Sequence, residues 1–136
     1  MSKSKDAADG KDGVAQAYAT IAAVTFDGDV ITSCYIDAVQ ANVNFNASGT
    51  ITTDLSAAPQ TKNQLGDAYG MKQASSIGKE WNEQAAGFCA YVTGKTAAEV
   101  KGLAVDESGK AADADLAATV TVGIGEFQTL IAKAAE

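Results

Sequence analysis

Histidine is absent from the 136 residues, and only two cysteines and one proline occur. Without an imidazole the chain can form neither a Ser-His or Cys-His nucleophile pair nor a histidine-ligated zinc site, and two thiols are too few for a four-cysteine cluster. Basic residues are scarce too, with ten Lys and Arg against 17 Asp and Glu and a net charge of −7. A nucleic-acid partner is therefore not predicted, since phosphate backbones bind basic surfaces.

Long hydrophobic runs are also lacking, and none approaches the roughly 20 residues that cross a bilayer. Met1 leads directly into the polar segment SKSKDAADGKDG, in which no signal peptide is visible. We interpret residues 1–13 as a flexible polar tail and residues 14–136 as one domain. A chain of this length buries roughly two-thirds of its unfolded surface, which is sufficient for a core.

A β-hairpin is predicted at the start of the domain. Residues 14–26 are rich in Val, Ile, Thr, Tyr and Phe, which favour strands, and we expect both faces of this strand to be covered. Asp27-Gly28 predicts a primed turn, because such a turn needs a residue with positive φ. The return strand, residues 30–39, is expected to direct four side chains toward the core: Val30, Cys34, Ile36 and Ala38.

Apolar residues at spacings of three and four predict a main helix over residues 76–93, capped by Ser75 or Ser76. Two shorter helices are predicted, one after a capping box that begins at Thr96 and one over residues 126–135. The apolar stripe of the main helix consists of six residues: Ile77, Trp81, Ala85, Phe88, Cys89 and Val92.

Two further segments complete the predicted fold. A second capping box at Thr61 indicates a helical turn that ends at Gly66, and residues 117–124 have the composition of a strand. The sequence therefore predicts a single α+β domain. In it, a twisted antiparallel or mixed sheet packs against one main helix and two shorter helices.

Several short motifs are shared with a known group of proteins. The chain carries SKSKDA at its start, SCYID after the DG turn, LGDAYGM and GKEW around the main helix, and DADL near its end. In these features, and over nearly its whole length, it resembles small bacterial envelope lipoproteins for which no activity is established. The resemblance implies an N-terminal lipid signal that this chain lacks, and a lipid-anchored location on the outer face of the cytoplasmic membrane.

Residues 113–122, DADLAATVTV, stand before the final helix. Together with the strand, DG turn and strand at the start, they resemble the FMN-binding domains of membrane redox complexes, whose pattern is D-A-x-(S/T)-G-A-T-x-(S/T)-S. Five positions match it: Asp113, Ala114, Ala118, Thr119 and Thr121. Three depart from it: Leu116, Ala117 and Val122. The resemblance implies that Thr119 lies at a flavin phosphate, and the departures favour non-covalent binding over covalent attachment.

Other residues allow both a functional and a purely structural interpretation. The aromatic set Tyr18, Tyr35, Tyr69, Trp81 and Phe88 can line a pocket for a planar ligand or form ordinary core. Cys34 and Cys89 can be a disulfide or two buried thiols. Glu80 beside Trp81 can be an acid with a raised pKa or a structural residue. Gly123-Ile124-Gly125 lacks the third glycine of a dinucleotide fingerprint and is interpreted as a strand-to-helix turn.

These observations favour a non-enzymatic, extracytoplasmic ligand-binding module that binds FMN or another planar molecule and is linked to envelope electron transfer. The alternative is a surface structural or interaction lipoprotein with no small ligand and an envelope protein as partner. No catalytic residue and no metal site are predicted. The predicted cofactor-binding residues are Thr119, Thr121, Asp113, Tyr69 and Trp81.

Overall fold

The computed structural model describes residues 3–136 as one α+β domain, which confirms the predicted fold class. The elements in chain order are β1 (Lys3–Lys5), β2 (Gly13–Asp27), β3 (Val30–Phe45), α1 (Lys62–Leu65), α2 (Trp81–Val92), α3 (Ala97–Lys101), α4 (Ala114–Ala117) and α5 (Gly125–Ala134). The three strands form an antiparallel sheet in the order β1-β2-β3. A 3₁₀ turn, Gly66–Tyr69, follows α1.

The predicted hairpin is present, and its strands are long. Asp27 pairs with Val30, and Gly28 occupies the first turn position with a φ of 57°, as in a type II′ turn. The return strand continues past the predicted residue 39 to Phe45, because β2 extends back to Gly13 and provides partners for it.

A β-bulge in β3 changes which side chains face the core. Thr25 pairs with Ser33, but Phe26 pairs with Ile31, so Thr32 is the extra residue. The alternation of faces therefore shifts by one position: Ile31 is 1% exposed and Val30 is 40% exposed. The prediction that Val30 faces inward is wrong for this reason. Ile36 and Ala38, which follow the bulge, are buried as predicted.

Only one face of β2 is covered. The half-buried residues of this strand that pack on the core are Tyr18, Ala22, Val24 and Phe26. Helix α5 contacts β2, and α2 contacts β3. Ile21, on the opposite face of β2, is 62% exposed. The expectation of coverage on both faces is wrong, because the long helices pack on one side of the sheet and a three-stranded antiparallel sheet can leave its other face in water.

Residues 3–5 are not a free tail. Their side chains are exposed, as predicted, but Ser4 pairs with Ala15 and the segment forms the edge strand β1. Backbone hydrogen bonds alone can hold such an edge strand. It therefore needs no apolar side chains, and its composition did not predict it. The first two residues of the predicted tail lie outside the described range.

The main helix begins at Trp81, five residues after the predicted start. Gly78 has a φ of 63°, which a right-handed helix cannot contain, and Glu80 forms the N-cap together with Glu83. Ile77 therefore lies in the preceding loop, and the expected serine cap is wrong. The capping boxes at Thr61 and Thr96 are confirmed, as is the final helix.

The predicted strand over residues 117–124 is wrong. The carboxylate of Asp113 accepts a hydrogen bond from Leu116 N and caps the short helix α4, and a turn follows. The N–H groups of Thr121 and Val122 are bonded to the side chain of Gln84, so they are not available for a sheet ladder.

The core lies between the hairpin and helices α2 and α5. Its centre is aromatic: Trp81 meets Phe127 edge to face at 5.9 Å between ring centroids, and Phe88 lies 5.2 Å from Phe127. Residues of α3, α4 and the loop before α5, including Val100, Leu116 and Ile124, enclose this centre. Among residues 3–136, no helix has the length and apolarity needed to cross a membrane.

Candidate functional site

Asp113, one of the predicted cofactor-binding residues, is an N-cap in this structure. Its carboxylate accepts a hydrogen bond of 2.9 Å from Leu116 N. That bond, with a smaller contribution from the Tyr91 hydroxyl, lowers the pKa of Asp113. Desolvation and the nearby Asp113 carboxylate in turn raise the pKa of Tyr91. Asp113 thus fixes the start of α4 against helix α2.

Gln84 holds the segment that follows α4. This side chain is fully buried, and its Oε1 accepts hydrogen bonds from Thr121 N (2.8 Å), Thr121 Oγ1 (3.2 Å) and Val122 N (3.1 Å). Its Nε2 donates to Ser75 Oγ and to the carbonyl of Lys79. The backbone donors that a phosphate loop would offer to an anion are therefore bonded to a neutral amide.

Thr119 packs against helix α2 at Gly87. A Cβ atom at Gly87 would meet the Cβ of Thr119 at 3.4 Å, an ordinary van der Waals distance, so an alanine would also fit there. The Thr119 hydroxyl donates to the carbonyl of Leu116 at 3.1 Å. Binding of a flavin phosphate at Thr119 stays a prediction, and in this conformation the hydroxyl has an internal acceptor.

The other two predicted cofactor residues, Tyr69 and Trp81, surround a buried lysine. Lys62 is 6% exposed, and its Nζ lies 4.8 Å from the ring centroid of Tyr69, 4.7 Å from that of Trp81 and 4.9 Å from that of Tyr18. Nζ also donates to the Tyr18 hydroxyl at 3.4 Å. These distances are within cation–π range. The aromatic pair thus encloses the ammonium group of Lys62. Sequence analysis missed this residue, because a polar side chain in a one-turn helix carries no signal of burial.

Glu80 has a structural role in this fold. It is 2% exposed, and its two carboxylate oxygens accept hydrogen bonds of 2.8 Å from Met71 N and Lys72 N. Burial, and secondarily the Glu80 charge, raise the pKa of Tyr69. Because both oxygens bind backbone N–H groups, Glu80 holds the loop before α2 in place.

Helix α2 separates the predicted residues into two groups. At 100° per residue, Trp81 shares the core-facing stripe with Phe88, whereas Gln84 and Gly87 lie on a neighbouring stripe. Tyr69 and Trp81 meet at Lys62 on the first stripe. Thr119 and Thr121 pack on the second stripe, and Asp113 meets Tyr91 there.

The third stripe of α2 borders a cleft of about 470 Å³ along the outer edge of β3. At one end of this edge, Ile31 exchanges backbone hydrogen bonds with Gly94 and Lys95. At the other end, the carbonyl of Ile36 accepts a bond from Asn63 Nδ2. The strand edge lies open between these two points. Eleven residues, all uncharged, line the cleft: residues 32–36, Asn63, Asn82, Ala86, Cys89, Ala90 and Thr93.

Two cysteines meet in this cleft, one from β3 and one from α2. Both thiols are free, and both side chains line the cleft. Hydrogen bonding with the neighbouring Cys89 thiol lowers the pKa of Cys34. The same interaction, and then burial, raise the pKa of Cys89. The sequence placed both cysteines on inward faces but did not show that they lie in one cleft.

Two residues of the cleft lining, Asn63 and Asn82, each carry a buried amide oxygen. Oδ1 of Asn63 and Oδ1 of Asn82 are inaccessible to solvent and have no hydrogen-bond partner among the described residues. The donation from Asn63 Nδ2 to Ile36 fixes the orientation of that amide. Buried acceptors usually have a partner, so these two atoms would accept hydrogen bonds from any donor that reached them. Sequence reasoning missed both asparagines, because an isolated Asn carries no signal of burial.

Within residues 3–136, no three Cys, Asp or Glu side chains come together in a way that could hold a metal ion. The prediction of no metal site stays a prediction.

Comparison with known proteins gives one partial match. Chlorophenol reductase of Desulfitobacterium hafniense is 52% identical over 42 residues, which make up 31% of this chain and 13% of the reductase. The chain therefore matches only a small part of the length of that protein. No family model and no solved structure matches the chain.

Proposed function

We propose that this protein is a non-enzymatic ligand-binding module that takes a flavin-type planar molecule, without a covalent bond, in the cleft between β3 and α2. The observation that carries the proposal is a pair of buried amide oxygens, on Asn63 and Asn82 of the cleft lining, that have no partner among the described residues. A ligand donor that reaches these oxygens would satisfy them.

The size and chemistry of the cleft suit such a ligand. Its volume of about 470 Å³ falls in the range of roughly 300–1,000 Å³ typical of small-molecule sites. A flavin offers the N3–H of its ring and the hydroxyls of its ribityl chain as donors. Tyr35 is one of the residues at the cleft. Because the lining carries no charge, we expect riboflavin to bind at least as well as FMN, with any phosphate directed into solvent.

The cleft replaces residues 113–122 as the proposed location of the ligand. The hydrogen bonds of Gln84 occupy the N–H groups of Thr121 and Val122, which weakens the case for a phosphate at that segment. The flavin resemblance of that segment still supports the ligand class. The short match to a protein named as a reductase is compatible with a role in electron transfer. A location on the outer face of the cytoplasmic membrane, through a lipid anchor, belongs to the same proposal.

The test is a thermal-shift titration with riboflavin, FMN and FAD, preceded by an absorption spectrum of the purified protein. A ligand held only by the native state must raise the melting temperature as its concentration rises. Ala90→Trp fills the cleft from the exposed side of α2 and should abolish the shift. Thr119→Ala is the matched control and should leave the shift unchanged. The opposite result for these two variants would return the ligand to the Thr119 segment, and a flat melting temperature with every flavin would reject the proposal.

The exposed sheet face supports a second candidate, a surface for a protein partner. Ile21 is 62% exposed and Tyr35 is 53% exposed. The pairing of Ile21 with Asp37 and of Ala23 with Tyr35 makes these two large side chains diagonal neighbours. Ile21→Lys should leave the flavin-induced rise in melting temperature intact. It should abolish the cross-linking of any envelope protein that cross-links to the wild type. Retention of the cross-linked partner by this variant would contradict the second candidate.

A further inference from the structure

Cys34 and Cys89 lie about 55 positions apart in the chain and are brought together by the packing of α2 on β3. Cys34 is half-buried in the cleft wall, whereas Cys89, which also lines the cleft, is 7% exposed. The two side chains are near enough for each to shift the pKa of the other. The two thiols therefore share one cleft, and Cys34 is the more accessible of the two.

The surroundings make the two thiols chemically unequal. The hydrogen bond from Cys89 stabilises a thiolate on Cys34 and lowers its pKa, and the same contact raises the pKa of Cys89. Thiol–disulfide exchange begins with a thiolate that a disulfide can reach. Cys34 meets both requirements better than Cys89, because it is more exposed and its pKa is lowered.

We propose that Cys34 and Cys89 form a dithiol–disulfide centre that exchanges with small peptide disulfides entering the cleft, with Cys34 as the attacking thiol and Cys89 as the resolving thiol. This activity does not depend on flavin binding. It assigns the cleft a chemical reaction in addition to a ligand.

The exchange has two balanced steps. The thiolate of Cys34 attacks one sulfur of a disulfide RSSR, which breaks the S–S bond and releases one RS⁻ that takes a proton from solvent. Cys89 then loses its proton to solvent and attacks the Cys34 sulfur of the mixed disulfide, expelling the second RS⁻. Two electrons pass from the protein dithiol to RSSR, which becomes two RSH, and the protein gains the Cys34–Cys89 bond.

The alternative is that both cysteines are only small apolar side chains. That explanation accounts for Cys89, which is buried in the core cluster. It accounts less well for Cys34, which occupies the wall of an open cleft that Cys89 also lines.

The experiment incubates the reduced full chain with oxidised glutathione and follows intact mass under acid quench. The wild type should end lighter by two hydrogen atoms, and dithiothreitol should reverse this change. Cys89→Ser should stop at the mixed disulfide, heavier by one glutathionyl group. Cys34→Ser should react at least about tenfold more slowly, because its remaining thiol is buried.

A measurement on the wild type avoids any folding defect of the variants. Brief alkylation of the reduced protein, followed by peptide mapping, should label Cys34 at least about tenfold faster than Cys89. Equal labelling rates would overturn the proposed order of attack. The wild type should also reach equilibrium with excess oxidised glutathione in the disulfide form. If it keeps both thiols, or carries only glutathione, the proposed Cys34–Cys89 centre is rejected.

Discussion

Replacement of Asn82 by leucine should stabilise the ligand-free protein while removing its ligand. Asn82 lies in the first turn of α2 and lines the cleft, and its Oδ1 is buried without a partner among the described residues. A buried polar atom with no hydrogen bond costs about 1–3 kcal/mol of folding free energy. Leucine has nearly the same shape and carries no such atom. We therefore expect the free energy of unfolding to rise by about 1–3 kcal/mol.

Helix propensity is the competing explanation for any gain, and its size is smaller. The difference between Asn and Leu inside a helix is at most about 0.7 kcal/mol, and it is less in the first turn. A gain above 1 kcal/mol therefore exceeds what helix propensity can supply. For a chain of this length, each kcal/mol should raise the melting temperature by about 3–6 °C.

The assay is urea unfolding at pH 7 with and without saturating riboflavin, followed by tryptophan fluorescence of Trp81. Asn82→Leu should raise the midpoint without ligand and should lose the ligand-dependent shift. Asn63→Leu is the matched control, because it removes an equally unpartnered oxygen but also takes the donor from the Ile36 carbonyl. We expect no gain from Asn63→Leu. If Asn82→Leu is no more stable than the wild type, water already satisfies the oxygen and the argument for a ligand at this cleft fails.

Three further perturbations test the rest of the structure. Gln84→Leu should lower the free energy of unfolding, measured with urea, by about 3 kcal/mol or more, because it leaves buried backbone N–H donors without an acceptor. Gln73→Leu, at an exposed position, is the control and should be nearly neutral. Lys62→Met should change the free energy of unfolding by no more than about 1 kcal/mol, since lost cation–π attraction is offset by relief of a buried charge; a larger loss would show that the cation is essential. Backbone hydrogen bonds lower the pKa values of Asp106 and Glu99, so their stabilisation should be complete above about pH 5 and should fade as the pH drops further. Urea midpoints at several pH values should show this acid loss, and Asp106→Asn should reduce it.

Local signals predicted the elements whose cause is local. The turn at Asp27-Gly28 and the capping boxes at Thr61 and Thr96 depend on a few adjacent residues, and all three are present. The start of α2 depends on a φ of 63° at Gly78. Glycine allows this conformation without requiring it, so the apolar period that continues through Ile77 predicted too early a start.

Elements that depend on distant contacts could not be derived in the same way. The bulge at Thr32 shifts the faces of β3, yet nothing in the residues around it specifies an extra position. Residues 117–124 have the composition of a strand, but Gln84, more than 30 positions earlier, takes their N–H donors. The position of Cys34 and Cys89 in one cleft is likewise a product of the packing of α2 on β3 and has no counterpart in local sequence.

The hypotheses for this protein concern different faces of the 12-residue helix α2. One stripe, with Trp81, packs in the aromatic core, and a second, with Gln84, holds the segment that resembles a flavin-binding loop. The third, with Asn82 and Cys89, borders the cleft. Because the stripes point in different directions, a substitution on one leaves the contacts of the others in place. Loss of flavin binding after a change at Ala90 but not at Gly87 would therefore locate the ligand in the cleft, and the reverse would locate it at Thr119.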